Sequence, residues 1–257
     1  MNGKRTYRRP AEGARLKSFT VTVKESDLWI AVSSSSFYDK LPEETEQLVW
    51  QKRLILENYL DCNRDFAAAL EPFLLQETAP DLIRRMVRAG NLAGVGPMAA
   101  VAGLLAEETG KFLLKKSPEV IVENGGDIFL KVVQPVSIGI YAGGSPLSGK
   151  LALQLDPANT PLGVCTSSGM VGPSYSMGRA DAAVAVSESC ALADAAATAM
   201  GNMVQGEDDL QQALEFAQSV EEISGALVIY SDKIAAWGDV ELSRCSSSLN
   251  DQRTKFF

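Results

Sequence analysis

Between residues 18 and 32 the chain reads S-F-T-V-T-V-K-E-S-D-L-W-I-A-V, two β-branched and aromatic runs on either side of Glu25-Ser26-Asp27. Such runs about a polar turn predict a hairpin. From Pro42 to about Asn63 the period lengthens. Leu48, Gln51, Ile55 and Tyr59 share one helical face, and Glu43, Glu44 and Glu46 sit in the first turn, where the helix dipole favours acids. A second helix is expected over 65–75. Residues 80–115 are rich in Ala, Leu and Val and contain A-G-N-L-A-G-V-G-P-M-A-A-V-A-G at 89–103. There Gly90, Gly94 and Gly96 interrupt a helix, and Pro97 suits the first turn of the next.

After Pro118 the pattern becomes short β-type runs at 119–123, 128–133, 136–142, 150–155, 162–165 and 180–186, separated by Gly- and Ser-rich turns. A small-residue helix follows over 191–204, a helix with an acidic start over 208–220, and a hairpin over 225–242 turning at Ser231-Asp232. No internal repeat or linker divides the chain. Helices inserted between runs of strands predict an α+β fold, one domain over 1–244 with a polar tail over 245–257. The Ala-rich helices at 98–106 and 191–201 could pack internally or across a two-fold axis, which leaves a homo-oligomer open.

The 257 residues are 46% hydrophobic and 22% charged, enough for a sizeable core without disulfides. A net charge of −8 argues against a nucleic-acid partner, whose phosphates need a cationic face. The one basic run, Lys4, Arg5, Arg8, Arg9, Arg15 and Lys17 against Glu12, reads as a solvated arm or edge strand, with a phosphate-binding arm as the alternative. No stretch approaches the roughly 20 apolar residues of a membrane span, so no membrane is expected. The basic start leads into no apolar signal core, and the expected location is cytoplasmic. There is no histidine, which excludes His-containing triads, His-ligated metals and any imidazole base. Cys62, Cys165, Cys190 and Cys245 form no C-x-x-C pair and are expected as free thiols.

Three segments carry candidate chemistry. In C-A-L-A-D-A-A-A-T-A-M, Asp194 and Thr198 lie four apart on one helical face, two hard oxygens suited to Mg2+ and ligand phosphates. The alternative is a plain small-residue helix with Thr198 bonded to the preceding turn and Asp194 solvated. In V-E-N-G-G-D-I-F, Asn124, Gly125, Gly126 and Asp127 form either a close-approach loop or a tight hairpin turn. In G-V-C-T-S-S-G, Thr166, Ser167, Ser168 and Gly169 end a strand with donors for a phosphate or carboxylate, or form a surface turn. Rossmann and P-loop readings fail, because Gly94-Val95-Gly96 lacks a third glycine at Ala99 and no G-x-x-x-x-G-K-[ST] occurs.

In this order, N-G-G-D-I, T-S-S-G and A-D-A-A-A-T-A resemble the ApbE-like superfamily, whose known enzymes are Mg2+-dependent FAD:protein FMN transferases. The resemblance covers about residues 90–205. The opening hairpin with D-L-W-I more closely resembles the branch called uncharacterised protein family 0280. The resemblance implies a T-fold-like α+β unit, a metal held by Asp194 and Thr198 with a carbonyl near Gly96, and a flavin-nucleotide pocket over 94–98, 124–127, 165–169 and 194–198. It also shows departures. The transferases' G-I-A-K-G-Y-A-V-D is here Gly94 to Ala102, with Pro97 in place of the lysine and Ala102 in place of the aspartate. Those losses remove a cation and an acid/base group, so the expectation is binding of a phosphate-containing ligand such as FAD with Mg2+, with flavinylation of a partner doubtful and Mg2+-dependent transferase or diphosphate-cleaving chemistry left open. The closer branch is linked to sulfide assimilation and homocysteine formation. This implies as the alternative a thiol-dependent accessory protein with a sulfur-metabolism partner, acting through Cys62 in L-D-C-N-R-D or Cys165 beside T-S-S-G.

Overall fold

The computed structural model describes residues 15–75, 78–168, 178–245 and 254–256. The opening runs form an antiparallel hairpin, β1 (Leu16–Val23) and β2 (Ser26–Ser33), with Val23 opposite Ser26. Lys24 and Glu25 alone make the turn, Lys24 at φ 53°, so Ser26 and Asp27 belong to β2 and not to the expected turn. Leu28 to Val32 are all buried, with a core on each side of the strand, and the extended conformation therefore runs back to the shortest connection. Of the basic run, Arg15 pairs with the buried Glu119, and the Lys17 ammonium lies 3.7 Å over the Phe37 ring. Lys4 to Glu12 lie outside the described residues.

Helix α1 (Leu41–Cys62) packs on β1 through Leu41, Thr45, Val49 and Leu56. The expected face is not the buried one, since Gln51 is exposed and Ile55 is 38% exposed. Apolar residues, Trp50 and Leu54 among them, surround this helix, and packing against the sheet selects one of two available stripes. Helix α2 is only Arg64–Ala68, shorter than the expected 65–75. Tertiary bonds draw the following segment out straight. Leu70 O accepts the Gly96 N–H at 2.9 Å, and the Asn91 amide bonds both the N–H and the carbonyl of Phe73. Pro72 also disfavours helix in the residue before it.

Helix α3 (Asp81–Ala93) ends at Gly94, whose φ of 68° is the left-handed conformation that closes a helix C-terminus. A single 3-10 turn over Pro97–Ala100 leads into α4 (Val101–Leu113), and the chain bends by 105° across this break. Helices α5 (Cys190–Met203) and α6 (Leu210–Ser219) complete the helical layer. α4 and α5 pack on each other within the chain, and α5 is buried continuously from Cys190 to Ala197, which decides for internal packing of the Ala-rich helices.

The remaining strands are β3 (Val120–Asn124), β4 (Asp127–Lys131), β5 (Val136–Gly139), β6 (Leu151–Leu155), β7 (Leu162–Ser167), β8 (Ala182–Ser187), β9 (Ile223–Tyr230), β10 (Lys233–Gly238), β11 (Glu241–Arg244) and β12 (Thr254–Phe256). The expected last hairpin is β9–β10, turning at Ser231-Asp232. The larger sheet has the order β1-β2-β3-β4-β7-β8-β9-β10, antiparallel throughout, and the smaller has the order β11-β6-β5-β12 with β12 parallel to β5. The polar tail thus returns a strand to the smaller sheet.

Strand alternation sorts side chains into two cores. Leu28, Ile30, Val122, Phe129 and Val228 face the helices. Trp29, Ala31, Ile121, Ile128, Leu130, Val164 and Leu227 face Val136, Ile138, Leu153 and Leu155 of the smaller sheet. The architecture is α+β in three layers, helices on the large sheet on the small sheet. Among the described residues no single helix is long and apolar enough to cross a membrane.

Candidate functional site

Helix α5 lies directly on β7. A Cβ added at Gly163 would meet the Cys190 Cα at 2.5 Å, and one at Gly201 would meet Ser167 Oγ at 3.5 Å. The start of α5 is held by two side chains. Ser189 Oγ accepts the Leu192 N–H at 3.3 Å, and Oε2 of the buried Glu107 on α4 accepts the N–H groups of Cys190 at 3.0 Å and Ala191 at 3.4 Å. Glu107 Oε1 is clamped by Arg85 and Lys111, each at 2.5 Å. This satisfies the orphan donors of the helix end with a negative charge in the favourable place.

One turn further, Asp194 is buried rather than solvated, and its Oδ2 accepts the Gly103 N–H at 2.8 Å. Burial pushes its carboxyl up to about 7 against the opposing backbone N–H groups of Gly103 and Ala102. Thr198 follows on the same helix, half-buried. Gly96 immediately precedes the 3-10 turn. Its N–H goes to Leu70, its carbonyl accepts the Ala99 N–H at 3.1 Å, and an added Cβ would collide with the Ala69 carbonyl at 1.8 Å. The backbone that meets Asp194 is Ala102-Gly103, and Gly94 serves as the exposed cap of α3.

Asn124 to Asp127 form a two-residue hairpin turn, with Asn124 opposite Asp127 and Gly125 and Gly126 at φ 74° and 108°. Both central residues have positive φ, which glycine adopts without steric cost, and Asn124 lies on the strand side of the turn. The turn also reaches the site, which joins the two readings of this sequence. Asn124 Nδ2 donates to the Ala102 carbonyl at 3.0 Å, and Gly126 approaches the Thr166 carbonyl. The Gly126 N–H is taken by Glu123 Oε1 at 2.8 Å. Asp127 is buried, and its Oδ1 has no hydrogen-bond partner. Burial first, then the negative charge of Asp194, push Asp127 well above the ordinary carboxylate range, while the Cys165 thiol and the Thr166 backbone act the other way. Among the described residues no ion pair neutralises Asp127 or Asp194.

Thr166, Ser167 and Ser168 are half-buried where β7 ends, and Gly169 lies outside the described residues. Cys165 is buried with Sγ 3.5 Å from Cys190 Sγ, and burial and its neighbours push its thiol well up. A thiol raised in this way is a slower nucleophile at neutral pH than an exposed one. Cys62 is exposed at the end of α1. Among the described residues no group of three or more acidic or Cys side chains has the arrangement of a metal cluster.

Sequence reasoning missed Glu107, Gly103 and Cys190. A glutamate in the otherwise apolar run V-A-G-L-L-A-E was the one available signal; what it caps lies 83 positions later.

The family model for AbpE bacteria matches residues 8–236. A UPF0280 protein of Methanosarcina barkeri is 44% identical over 200 residues, 77% of this chain and 79% of its own. A UPF0280 protein of Methanocaldococcus jannaschii is 38% identical over 225 residues, 86% of this chain and 90% of its own. Among solved structures, flavin transferase ApbE from Vibrio cholerae superposes with TM-score 0.53 at 15% identity, covering 88% of this chain and 97% of that one. The apo flavinyl transferase ApbE of Pseudomonas stutzeri gives 0.54 at 17% identity, covering 87% and 94%. At these identities the structures establish the shared fold, and the sequence relatives establish the branch. The chain belongs to the ApbE-like family, among its UPF0280 proteins.

Proposed function

We propose that this protein binds a phosphate-containing ligand, a flavin nucleotide such as FAD, together with Mg2+ where the β3–β4 turn, the end of β7 and α5 converge. The observation that carries the reading is the pair of buried carboxylates, Asp127 and Asp194, each raised by burial, with Asp127 Oδ1 unpartnered. Burial disfavours the charged form of two neighbouring carboxyls that no cation among the described residues faces, and a divalent ion would offset that cost. The donors are all oxygen, which suits Mg2+. Asp194 and Thr198 would hold the ion, as the family resemblance implies. Bound Mg2+ supplies charge stabilisation at phosphate oxygens.

This chain's residues orient and enclose. Gly103 fixes the Asp194 carboxylate through its N–H, Asn124 ties the turn to Ala102, and the half-buried Thr166 and Ser167 hydroxyls offer neutral donors where β7 ends. The transferases' lysine and aspartate are Pro97 and Ala102 here, so the reading is of binding and not of flavin transfer.

The test is thermal stabilisation by FAD, FMN and ADP, each with and without Mg2+, on the wild type and Asp194→Ala. A ligand bound only by the folded state raises the melting temperature. FAD should stabilise the wild type only with Mg2+, and the variant should lose that increment relative to its own ligand-free value. Absence of any shift from all three overturns the reading.

A further inference from the structure

We propose that Cys165 and Cys190 form a reversible disulfide that regulates the Asp127–Asp194 site, a proposal whose regulatory half rests on the ligand-binding reading above. The two Sγ atoms are 3.5 Å apart, on adjacent elements, and both thiols are buried. Closing them to a disulfide of about 2.05 Å needs a movement of roughly 1.5 Å, small enough for rotation of the two side chains.

Each thiol is wired to the site. Cys165 Sγ donates to the Cys190 carbonyl at 3.3 Å, and β7 carries it beside β4, where Asp127 holds the unpartnered oxygen. Cys190 Sγ donates to the Ile128 carbonyl at 3.6 Å, next to Asp127 in β4. Cys190 is also the first residue of α5, the helix that carries Asp194 and Thr198, and its N–H is the one Glu107 accepts. A disulfide therefore removes the S–H donors to the Cys190 and Ile128 carbonyls and ties the helix that carries Asp194 to β7 at its fixed end.

The oxidant required is a peroxide. One sulfur attacks the O–O bond, forming a sulfenic acid and releasing water. The second sulfur attacks the first, the S–S bond forms, the S–O bond breaks, and a second water leaves. Two thiols and one hydrogen peroxide thus give one disulfide and two waters, the sulfurs oxidised and the peroxide reduced. Burial keeps both thiols protonated in the closed protein, so the pair responds slowly and to sustained oxidant, not to traces.

The experiment uses the full chain carrying Cys62→Ser and Cys245→Ser, so that only the buried pair can react. Graded hydrogen peroxide is followed by alkylation under denaturing conditions and peptide mass spectrometry. The expected result is one cross-linked Cys165–Cys190 peptide, 2 Da lighter than the two reduced peptides together, formed over minutes to hours and fully reversed by dithiothreitol. Reduced pairs at oxidant levels that fully oxidise Cys62 in the wild type, or separate conversion to sulfinic acids, overturn the proposal. The FAD and Mg2+ thermal shift of the oxidised form should fall to less than half that of the reduced form. Equal shifts in both states overturn the regulatory role. A cross-link with no FAD shift in either state sinks the flavin-binding reading and with it the regulation, leaving a bare redox couple.

Discussion

The Gly103 N–H donates to Asp194 Oδ2 at 2.8 Å across the α4–α5 contact, and a Cβ at Gly103 would lie 2.4 Å from the Cys190 carbonyl and 2.8 Å from the Asp194 Cβ. The hydrogen bond requires an approach that only glycine permits. Gly103→Ala should cost about 1–3 kcal/mol by overpacking and displace the Asp194 carboxylate. Gly94→Ala provides the control, because a Cβ there meets nothing within 4 Å and the cost, about 1–2 kcal/mol, comes from its positive φ. Urea unfolding and the Mg2+-dependent FAD shift measure both. Gly103→Ala should lose the FAD shift while Gly94→Ala keeps it; the same FAD shift in both variants would show that the approach does not fix Asp194.

Glu107 joins Arg85 and Lys111 to the start of α5. Glu107→Ala removes a buried charge and leaves the Cys190 and Ala191 N–H groups without their acceptor, for a loss of about 2–3 kcal/mol. Glu107→Gln keeps one acceptor oxygen and should lose less. Equal unfolding midpoints for the two variants would mean that the capping bonds contribute nothing beyond the charge.

Phe66 is fully buried and holds Tyr59 and Phe73 edge-on at 5.1 and 5.3 Å between ring centroids. Phe66→Ala should destabilise the fold by about 3–5 kcal/mol. The cavity lies under the segment after α2 that bonds to Gly96, so amide exchange at Gly96 should accelerate before that of β3. Uniform acceleration across both is the contrary result.

Glu108 is half-buried between Lys52 and Arg85. Burial acts to raise its carboxyl, but the hydrogen bonds from Lys52 and Arg85 outweigh it and hold the group below its ordinary 4.5. The folded state therefore binds this proton more weakly than the unfolded chain. The resulting stability is present above 4.5 and lost as pH falls through the folded value. Asp194, raised to about 7, has the opposite sign, and its contribution rises as pH falls from 7 towards 3.8. The difference curve between wild type and Glu108→Gln isolates the first group. It should be flat from pH 7 to 5 and shrink below 4.5, and a difference that grows on acidification would reverse the assignment.

Most of the elements are legible along the chain, because their information is local. Alternation gave β1 and β2, Gly94 with Pro97 marked the break between α3 and α4, and Asn124-Gly125-Gly126-Asp127 wrote its own hairpin turn. Asp194 and Thr198 were legible as a pair because helical spacing alone puts them on one face. Packing in three dimensions resolves what local pattern leaves degenerate or never contains. Which stripe of α1 is buried depends on the sheet beneath it, and α2 stops at Ala68 because bonds from Gly96 and Asn91 capture the next residues. Likewise, a turn and a loop became neighbours of Asp194 only when α5 settled on β7, with Gly103, Glu107 and Cys165 supplying contacts from distant positions. A hydrogen bond or a buried charge pair is set by distance in space, and a sequence orders residues only along the chain.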